Sequence, residues 1–485
     1  MSPEQGFLRA IIEAPEDDTA RLVFADWLDE NGQSERAEFI RTHIELARSD
    51  EADPRRAAWL ARLHRLQAAN GAAWVGFDPK QHPGWERWEW GRGMVESVSV
   101  QNLAALPELL ERFPIREVVF RVRQMPVGWG VELARSGVLS RLESVAIEEG
   151  DSWRERSDVL AAFDSSLPQL RRMRLRKIRL DSDEWDQLLA NCSGLRSLES
   201  DTDGEWPTPS VLQRRLPDLE QLNLGWSLGS WFDEGELAAF FSGPLLARLV
   251  ELRLNGIELT DQVPLFPTRL PNLRRLGLAG RSSGSACSGG AGLRALIRSG
   301  VLSTVSDLDL SYNGLTPDDL DCLLAPGVAP LRRLRLWGND KLDGRAAQAI
   351  AAASHLQGLV ELDLGKCTVE ELRPLVASPA ASMLRHLSFS CDADHDTILS
   401  ELAHFPETSS LVSLYVFAFG PPRNSVKPFF ASGAVPHLTH LSCDDAYSGV
   451  YDMGPWEVEG TGIVWLVNNQ RPLWLEAPSS FFGER

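Results

Sequence analysis

An α/β solenoid of stacked repeats, preceded by a small all-α domain, is the fold this sequence predicts. Three observations predict it. A pattern of the form L-x-x-L-x-L, with other aliphatics allowed at the fixed positions, recurs about fourteen times between Val95 and Cys443, at a mean spacing of roughly 26 residues. Helix-forming stretches fall between successive copies. Residues 1–70 contain no copy and read as helices. At 485 residues the chain is also too long for one ordinary core, which favours an array.

The early copies are loose: Val95-Val98-Val100, Ile115-Val118-Phe120, Leu142-Val145-Ile147. Later ones sharpen to Leu219-Leu222-Leu224, Leu249-Leu252-Leu254, Leu273-Leu276-Leu278 and Leu331-Leu334-Leu336. The last two fixed positions obey period 2, so they share one face of a short strand, and the residue between them points the other way. Each strand therefore has an aliphatic row to bury and a variable row to show. One repeat cannot bury its row alone, so repeats must stack into a parallel sheet. A second echo supports the array: Arg135-Ser136-Gly137-Val138-Leu139-Ser140 recurs as Arg298-Ser299-Gly300-Val301-Leu302-Ser303.

Three residues after the last leucine, several repeats place Asn or Cys, at Asn313, Asn339 and Cys367. An Asn there can satisfy turn backbone groups as the chain leaves the sheet. Between strands, Thr316–Leu324 has a cap, Pro317 in the first turn and early acids, and Gly344–Ala353 is alanine-rich. Glu184–Leu189 and Thr397–Leu402 are similar. Pattern and spacing are those of a leucine-rich repeat. Helices on the convex side resemble the ribonuclease-inhibitor-like class, which implies a horseshoe with a parallel concave sheet.

Four helices are expected in front: Pro3–Glu13, Asp17–Glu30, Ser34–Arg48 with Ser34 as cap, and 54–69 stopped by Asn70-Gly71. The run FLRAIIEAPEDDTARLVFADWLDENG over Phe7–Gly32 is followed by Arg36-Ala37-Glu38-Phe39-Ile40-Arg41, then Gly71-Ala72-Ala73-Trp74 and Arg92-Gly93-Met94-Val95-Glu96. Together these resemble a bacterial repeat-companion domain found in front of leucine-rich and other repeats. The resemblance covers roughly the first 100 residues. It implies a bacterial protein of the leucine-rich-repeat type, and no catalytic activity comes with it. The expected organisation is a helical companion domain at 1–73, a Trp-rich linker and cap at 74–94, the solenoid at 95–443 and a C-terminal cap at 444–485. An open solenoid end exposes its aliphatic row, so the Trp clusters (Trp74, Trp85, Trp88 and Trp90, then Trp456, Trp465 and Trp474) are expected to cover the two ends.

The net charge of −19 argues against nucleic acid and against anionic membrane. No apolar run is long enough to span a bilayer, and the N-terminus has no secretory pattern, so a cytoplasmic location is expected. Six cysteines without C-x-x-C spacing read as reduced thiols. There is no G-x-S-x-G, H-E-x-x-H or P-loop. Cys391-Asp392-Ala393-Asp394-His395-Asp396 lacks the glycine and distal glutamate of a calcium loop and reads as a turn with a helix cap. No enzyme, cofactor or metal is expected.

What remains is binding of another protein on the concave face, with a regulator or substrate-recognition part of an enzyme system (ubiquitin-ligase-like, or a sensor) as the alternative. The candidate residues are the strand arginines Arg171, Arg172, Arg174, Arg274, Arg275, Arg332, Arg333 and Arg335, with the aromatics Trp226, Tyr312, Trp337 and Tyr415. Arginine rows alternate with acidic ones, Asp307, Asp309, Glu361 and Asp363. The rows can pair across the sheet or stay free for a partner. The sequence leaves both open.

Overall fold

A computed structural model describes residues 2–465 apart from 51–52, 54, 77–84, 149–152, 202–204, 226–239, 241–242, 257–269, 281–288, 326–327, 406–409, 420–423, 439, 446–456 and 459–462. Its contacts divide into two units. Unit 1 comprises residues 1–49 and 66–251; unit 2 comprises 50–65 and 252–485.

Unit 1 begins with helices α1 (Pro3–Glu13), α2 (Asp18–Glu30) and α3 (Ser34–Arg48). Ser2 and Gln5 form a capping box on α1, and Asp17 caps α2 by accepting from Thr19 N at 2.8 Å. Ser34 is not the cap of α3. It is the first helical residue, its hydroxyl is taken by Asp29, and Gln33 holds the cap position without a side-chain bond. Helix α4 runs from Arg56 to Val75, straight through the expected stop at Asn70-Gly71. Gly71 costs the helix about 1 kcal/mol relative to alanine. Packing outweighs it: Trp74 in the next turn lies 4.9 Å from the Phe39 ring, and Gly71 itself faces Trp90.

The strands follow. A hairpin of β1 (Trp85–Gly91) and β2 (Met94–Val100) turns at Arg92-Gly93, both with positive φ. Then come β3 (Glu117–Arg121), β4 (Ser144–Glu148), β5 (Arg172–Arg176), β6 (Ser197–Asp201) and β7 (Gln221–Leu224), each parallel to the one before. The register joins like to like. Val98, Val118, Val145, Met173, Leu198 and Leu222 lie side by side, and all are buried. They are the middle fixed residues of six successive repeats.

The same construction fills unit 2. After β8 (Glu251–Leu254) come β9 (Arg275–Gly277), β10 (Asp307–Asp309), β11 (Arg333–Arg335), β12 (Glu361–Lys366), β13 (His386–Asp394), β14 (Ser413–Phe419) and β15 (His440–Asp445). Leu276, Leu308, Leu334, Leu362, Leu387, Leu414 and Leu441 form the buried ladder through β9–β15. Burying a leucine side chain contributes roughly 1.5–3 kcal/mol, so the ladder is what makes stacking favourable. Beyond β15, β17 (Ile463–Trp465) pairs parallel to it and antiparallel to β16 (Glu457–Val458). The fold is that of a leucine-rich repeat, with helices such as Ser182–Ala190, Pro317–Leu323 and Arg345–Ala352 between strands.

The asparagine turns behave as the sequence suggested. Asn339 is 3% exposed. Its Nδ2 donates to Leu310 O at 2.9 Å and Leu336 O at 2.8 Å, and its Oδ1 accepts from Asn313 N and Leu315 N, both at 3.0 Å. Asn313 does the same one rung back, donating to Leu278 O and Ser311 O. The sequence echo is a structural echo too. Gly137 (φ 67°) and Gly300 (φ 77°) end their helices in the left-handed region, where only glycine is unstrained. Ser136 and Ser299 each donate back into the preceding turn and accept from the residue two ahead. A third copy, which the sequence reading passed over, is Ser432-Gly433-Ala434, with Gly433 at φ 76°.

The stretches that carried the companion-domain resemblance meet in unit 1. Arg21, fully buried, donates to Glu96 at 2.6 Å and to Pro15 O at 2.6 Å. Burial holds the Glu96 carboxyl above its ordinary range, against the pull of Arg21. Gly93 (φ 81°) presses on α3: a Cβ there would lie 2.6 Å from Ile40 Cα. Replacing Gly93 with Ala is therefore expected to cost at least about 2 kcal/mol by forcing α3 off the hairpin. Thermal unfolding followed through the Trp74/Trp90 near-UV signal checks this. An unchanged midpoint and signal would mean the turn can yield at no cost.

Candidate interaction surface

On each strand the residue between the two leucines points away from the core. In unit 1 this outward face carries Glu117, Val119, Arg172, Arg174, Glu199 and Asn223. Arg174 on β5 reaches back across β4 and pairs with Glu117 on β3 at 3.1 Å, while Ser144 of β4 donates to the same carboxylate at 2.9 Å. Arg176 pairs with Glu199 at 3.3 Å. Arg171 is turned to backbone, donating to Pro168 O and Gly194 O. Arg172 differs from all of these. It is exposed, and its guanidinium has no ion pair or hydrogen bond among the described residues.

In unit 2 the charged rows interlock. Register places Arg275, Asp307, Arg333 and Glu361 in one line across β9–β12, and Asp309, Arg335 and Asp363 in the next. Arg333 bonds Asp307 and lies 3.5 Å from Glu361. Arg335 donates to Glu361 at 2.7 Å and lies 3.9 Å from Asp309. Burial alone would lower the Arg335 pKa, but Glu361 and Asp309 outweigh it and raise it. Its side chain is only 11% exposed. Arg274 donates to Pro271 O and Leu273 O, and Arg332 pairs with Asp50 at 3.0 Å.

The aromatic candidates divide. Trp226 lies outside the described residues. Tyr312, at φ 58°, lays its ring over Gly338, where a Cβ would come within 2.2 Å of it. Trp337 (9% exposed) and Tyr415 (1%) pack edge-to-face at 6.2 Å, with Phe417 at 5.8 Å from Trp337. These rings, with Tyr312 packed against them, form a small core of their own.

Among the described residues no group of His, Cys, Asp and Glu could hold a metal ion. In the acidic run, Asp394 caps the helix His395–Leu402 through Thr397, Asp396 accepts from Asn424 N and Ser425 N, and His395 is buried against Val416 O. Burial pushes the Cys192 and Cys367 thiols up to about 12, so they stay protonated at neutral pH. No described helix is long and apolar enough to cross a membrane.

Two further residues lie outside the candidate set: Arg36, from a run that carries the companion-domain resemblance, and His43. Arg36 is boxed by aromatic faces, 4.9 Å from Trp74, 4.9 Å from Trp90 and 5.5 Å from Phe39. Burial lowers its pKa to about 9, which still leaves it charged at pH 7. His43 lies edge-on to Phe39 at 4.5 Å, and its Nε2 is buried without a hydrogen-bond partner. Burial, and then the Arg36 charge, hold its pKa down at about 4. The folded state thus keeps His43 neutral where the unfolded chain, at about 6.5, would protonate it. The stability this contributes is complete above pH 6.5 and is lost as pH falls towards 4, by up to about 3 kcal/mol. His43→Gln should flatten that slope in urea titrations at pH 7 and pH 4.5. Parallel pH curves for the two proteins would refute it.

No family model matches the chain, and no curated protein does. Among solved structures, it is similar to a chain of the yeast Rad7–Elc1 complex (14% identity, 97% of this chain and 98% of that one, TM-score 0.44). It is also similar to a chain of the TLR13–ssRNA13 complex (16%, 72% and 48%, TM-score 0.35) and to one of the Drosophila Toll–Spatzle complex (14%, 78% and 47%, TM-score 0.31). The chain spans about half the length of the latter two. These likenesses are distant, and the fold rests on this chain's own strand register and buried leucines.

Proposed function

We propose that the chain is a non-catalytic scaffold that binds another protein on the outward face of its repeat strands, with the helical segment in front acting as a bacterial-type companion domain and cap. The observation that carries this is Arg172. It is an exposed cation on a strand face whose other arginines are already matched, and a partner carboxylate would complete it. Glu117, Val119, Glu199 and Asn223 around it are half-buried, a mixture of apolar and charged surface suited to a protein.

Trp337 and Arg335 are poor probes of this reading, because both are buried and their loss would unfold the repeats around them. Arg172→Glu touches no internal bond. It should leave the unfolding curve within about 0.5 kcal/mol of wild type. It should also strip captured partners in affinity purification from the native host, read by mass spectrometry. Retention of the full partner set by the Arg172→Glu protein would place the binding surface elsewhere.

A further inference from the structure

The polar side chains of unit 1's sheet are matched unevenly. Just ahead of the strands, Arg116 bonds Glu143 at 2.6 Å, Arg196 pairs with Glu220 at 3.2 Å and Arg171 donates to two carbonyls. Farther along, Arg174 takes Glu117 at 3.1 Å and Arg176 takes Glu199 at 3.3 Å. Between these matched groups lies a row of another kind. Register sets Arg172 on β5, Ser197 on β6 and Gln221 on β7 side by side, with Asn223 two residues beyond Gln221 on the same face. Among the described residues none of these four side chains makes an ion pair or a hydrogen bond. On the β4 side the row is closed by Ser144, which is buried and already donates to Glu117 at 2.9 Å.

Arg172 is exposed and the other three are half-buried, so water serves them without loss to the fold. They can exchange that water for a partner, and their chemistry says which. Arg172 offers only donors, in a planar fork that a carboxylate accepts at two points. The Gln221 and Asn223 amides each carry donors and an acceptor, the complement of a peptide group. Ser197 lies between, and no carboxylate stands among the four. Neighbouring strands are about 4.8 Å apart, so Arg172 and Gln221 are about 10 Å apart. Three residues of extended chain span that distance.

We propose that Arg172, Ser197, Gln221 and Asn223 form the recognition row of the scaffold. It takes an extended segment of a partner protein lying across β5–β7. One carboxylate of that segment sits on Arg172, and the Gln221 and Asn223 amides hold its backbone about three residues away. This rests on the scaffold reading and adds the partner's chemistry to it: one acid at a fixed place. A run of acids gains little over one, because Arg171, Arg174, Arg176 and Arg196 are already engaged.

The probe is a library of random twelve-residue peptides displayed on phage and selected on the immobilised full chain. Clones that also bind the Arg172→Glu chain are removed. The retained peptides should share one Asp or Glu at a fixed place. A fluorescein-labelled synthetic copy of the tightest is then followed by anisotropy. Replacing its shared acid by the amide should weaken binding at least about tenfold, as should Arg172→Lys, which keeps the charge and loses the fork. Gln221→Ala and Asn223→Ala should each weaken it about three- to tenfold. Their unfolding curves should superimpose on wild type, since neither amide is bonded within the fold. A selection that yields no peptide, peptides without a shared acid, or unchanged affinity in both amide variants overturns the proposal. Native partners judge the scaffold separately. If Arg172→Glu loses them while the Gln221→Ala, Asn223→Ala double variant keeps them all, the scaffold stands and the row falls.

Discussion

Asn339→Ala is expected to lower stability by about 4 kcal/mol, since it strands four buried backbone groups at once. Asn313 N, Leu315 N, Leu310 O and Leu336 O all bond to this one side chain, which is 3% exposed. Each buried group left without a partner costs roughly 1–3 kcal/mol, and relaxation or a water recovers part of the total. Asn313→Ala, which strands fewer groups, should cost about half as much. Because stacked repeats couple mainly to their neighbours, the damage should be local. Hydrogen exchange should show protection lost first at Asn313 and Leu315, while the amides of β3–β5 hold. Wild-type protection at those two amides in Asn339→Ala would mean that the bonds are dispensable.

Arg335→Ala is expected to cost about 3–5 kcal/mol, for the opposite reason: it leaves charge behind. Asp309 (9% exposed), Glu361 (2%) and Asp363 (2%) would face one another without their shared cation. A buried charge stripped of its partner is far more costly than the intact pair is stabilising. The pH dependence gives the mechanism away. Without Arg335 three carboxylates crowd one buried site, and adding protons relieves their mutual repulsion in the folded state alone. The penalty is then largest at pH 7, where all three are charged, and shrinks as acid neutralises them. Urea titrations at pH 7 and pH 4.5 should show the gap to wild type narrowing. A gap of constant size would reduce Arg335 to a packing residue.

Much of this architecture can be read from short stretches of sequence. The L-x-x-L-x-L spacing states which strand residues are buried, since alternation is a property of the strand itself. The asparagine turns, the capping boxes at Ser2 and Thr316, and the glycines at 137 and 300 are equally local. Where local signals misled, a distant contact had intervened. Asn70-Gly71 reads as a helix stop, yet Trp74 has Phe39 and Trp90 to pack against, and α4 continues.

The candidate surface was only half legible. Strand geometry places Arg172, Arg174, Arg333 and Arg335 on the outward face, but whether each is matched depends on register with a neighbour some 25 residues away. Register turned the Asp307, Arg333 and Glu361 rows into one bonded ladder and left Arg172 exposed.

Sequence alone determined the repeat, its period, the buried face of each strand and the turn that ends it, because each follows from the conformational preferences of residues a few positions apart. Tertiary structure alone decided which charges meet. Arg21 finds Glu96 across 75 residues, Arg332 finds Asp50 across 282 and Arg385 finds Asp53 across 332. A guanidinium accepts any carboxylate or carbonyl of suitable geometry. No residue type or spacing records the choice, and only the folded chain, by excluding every partner but one, makes it.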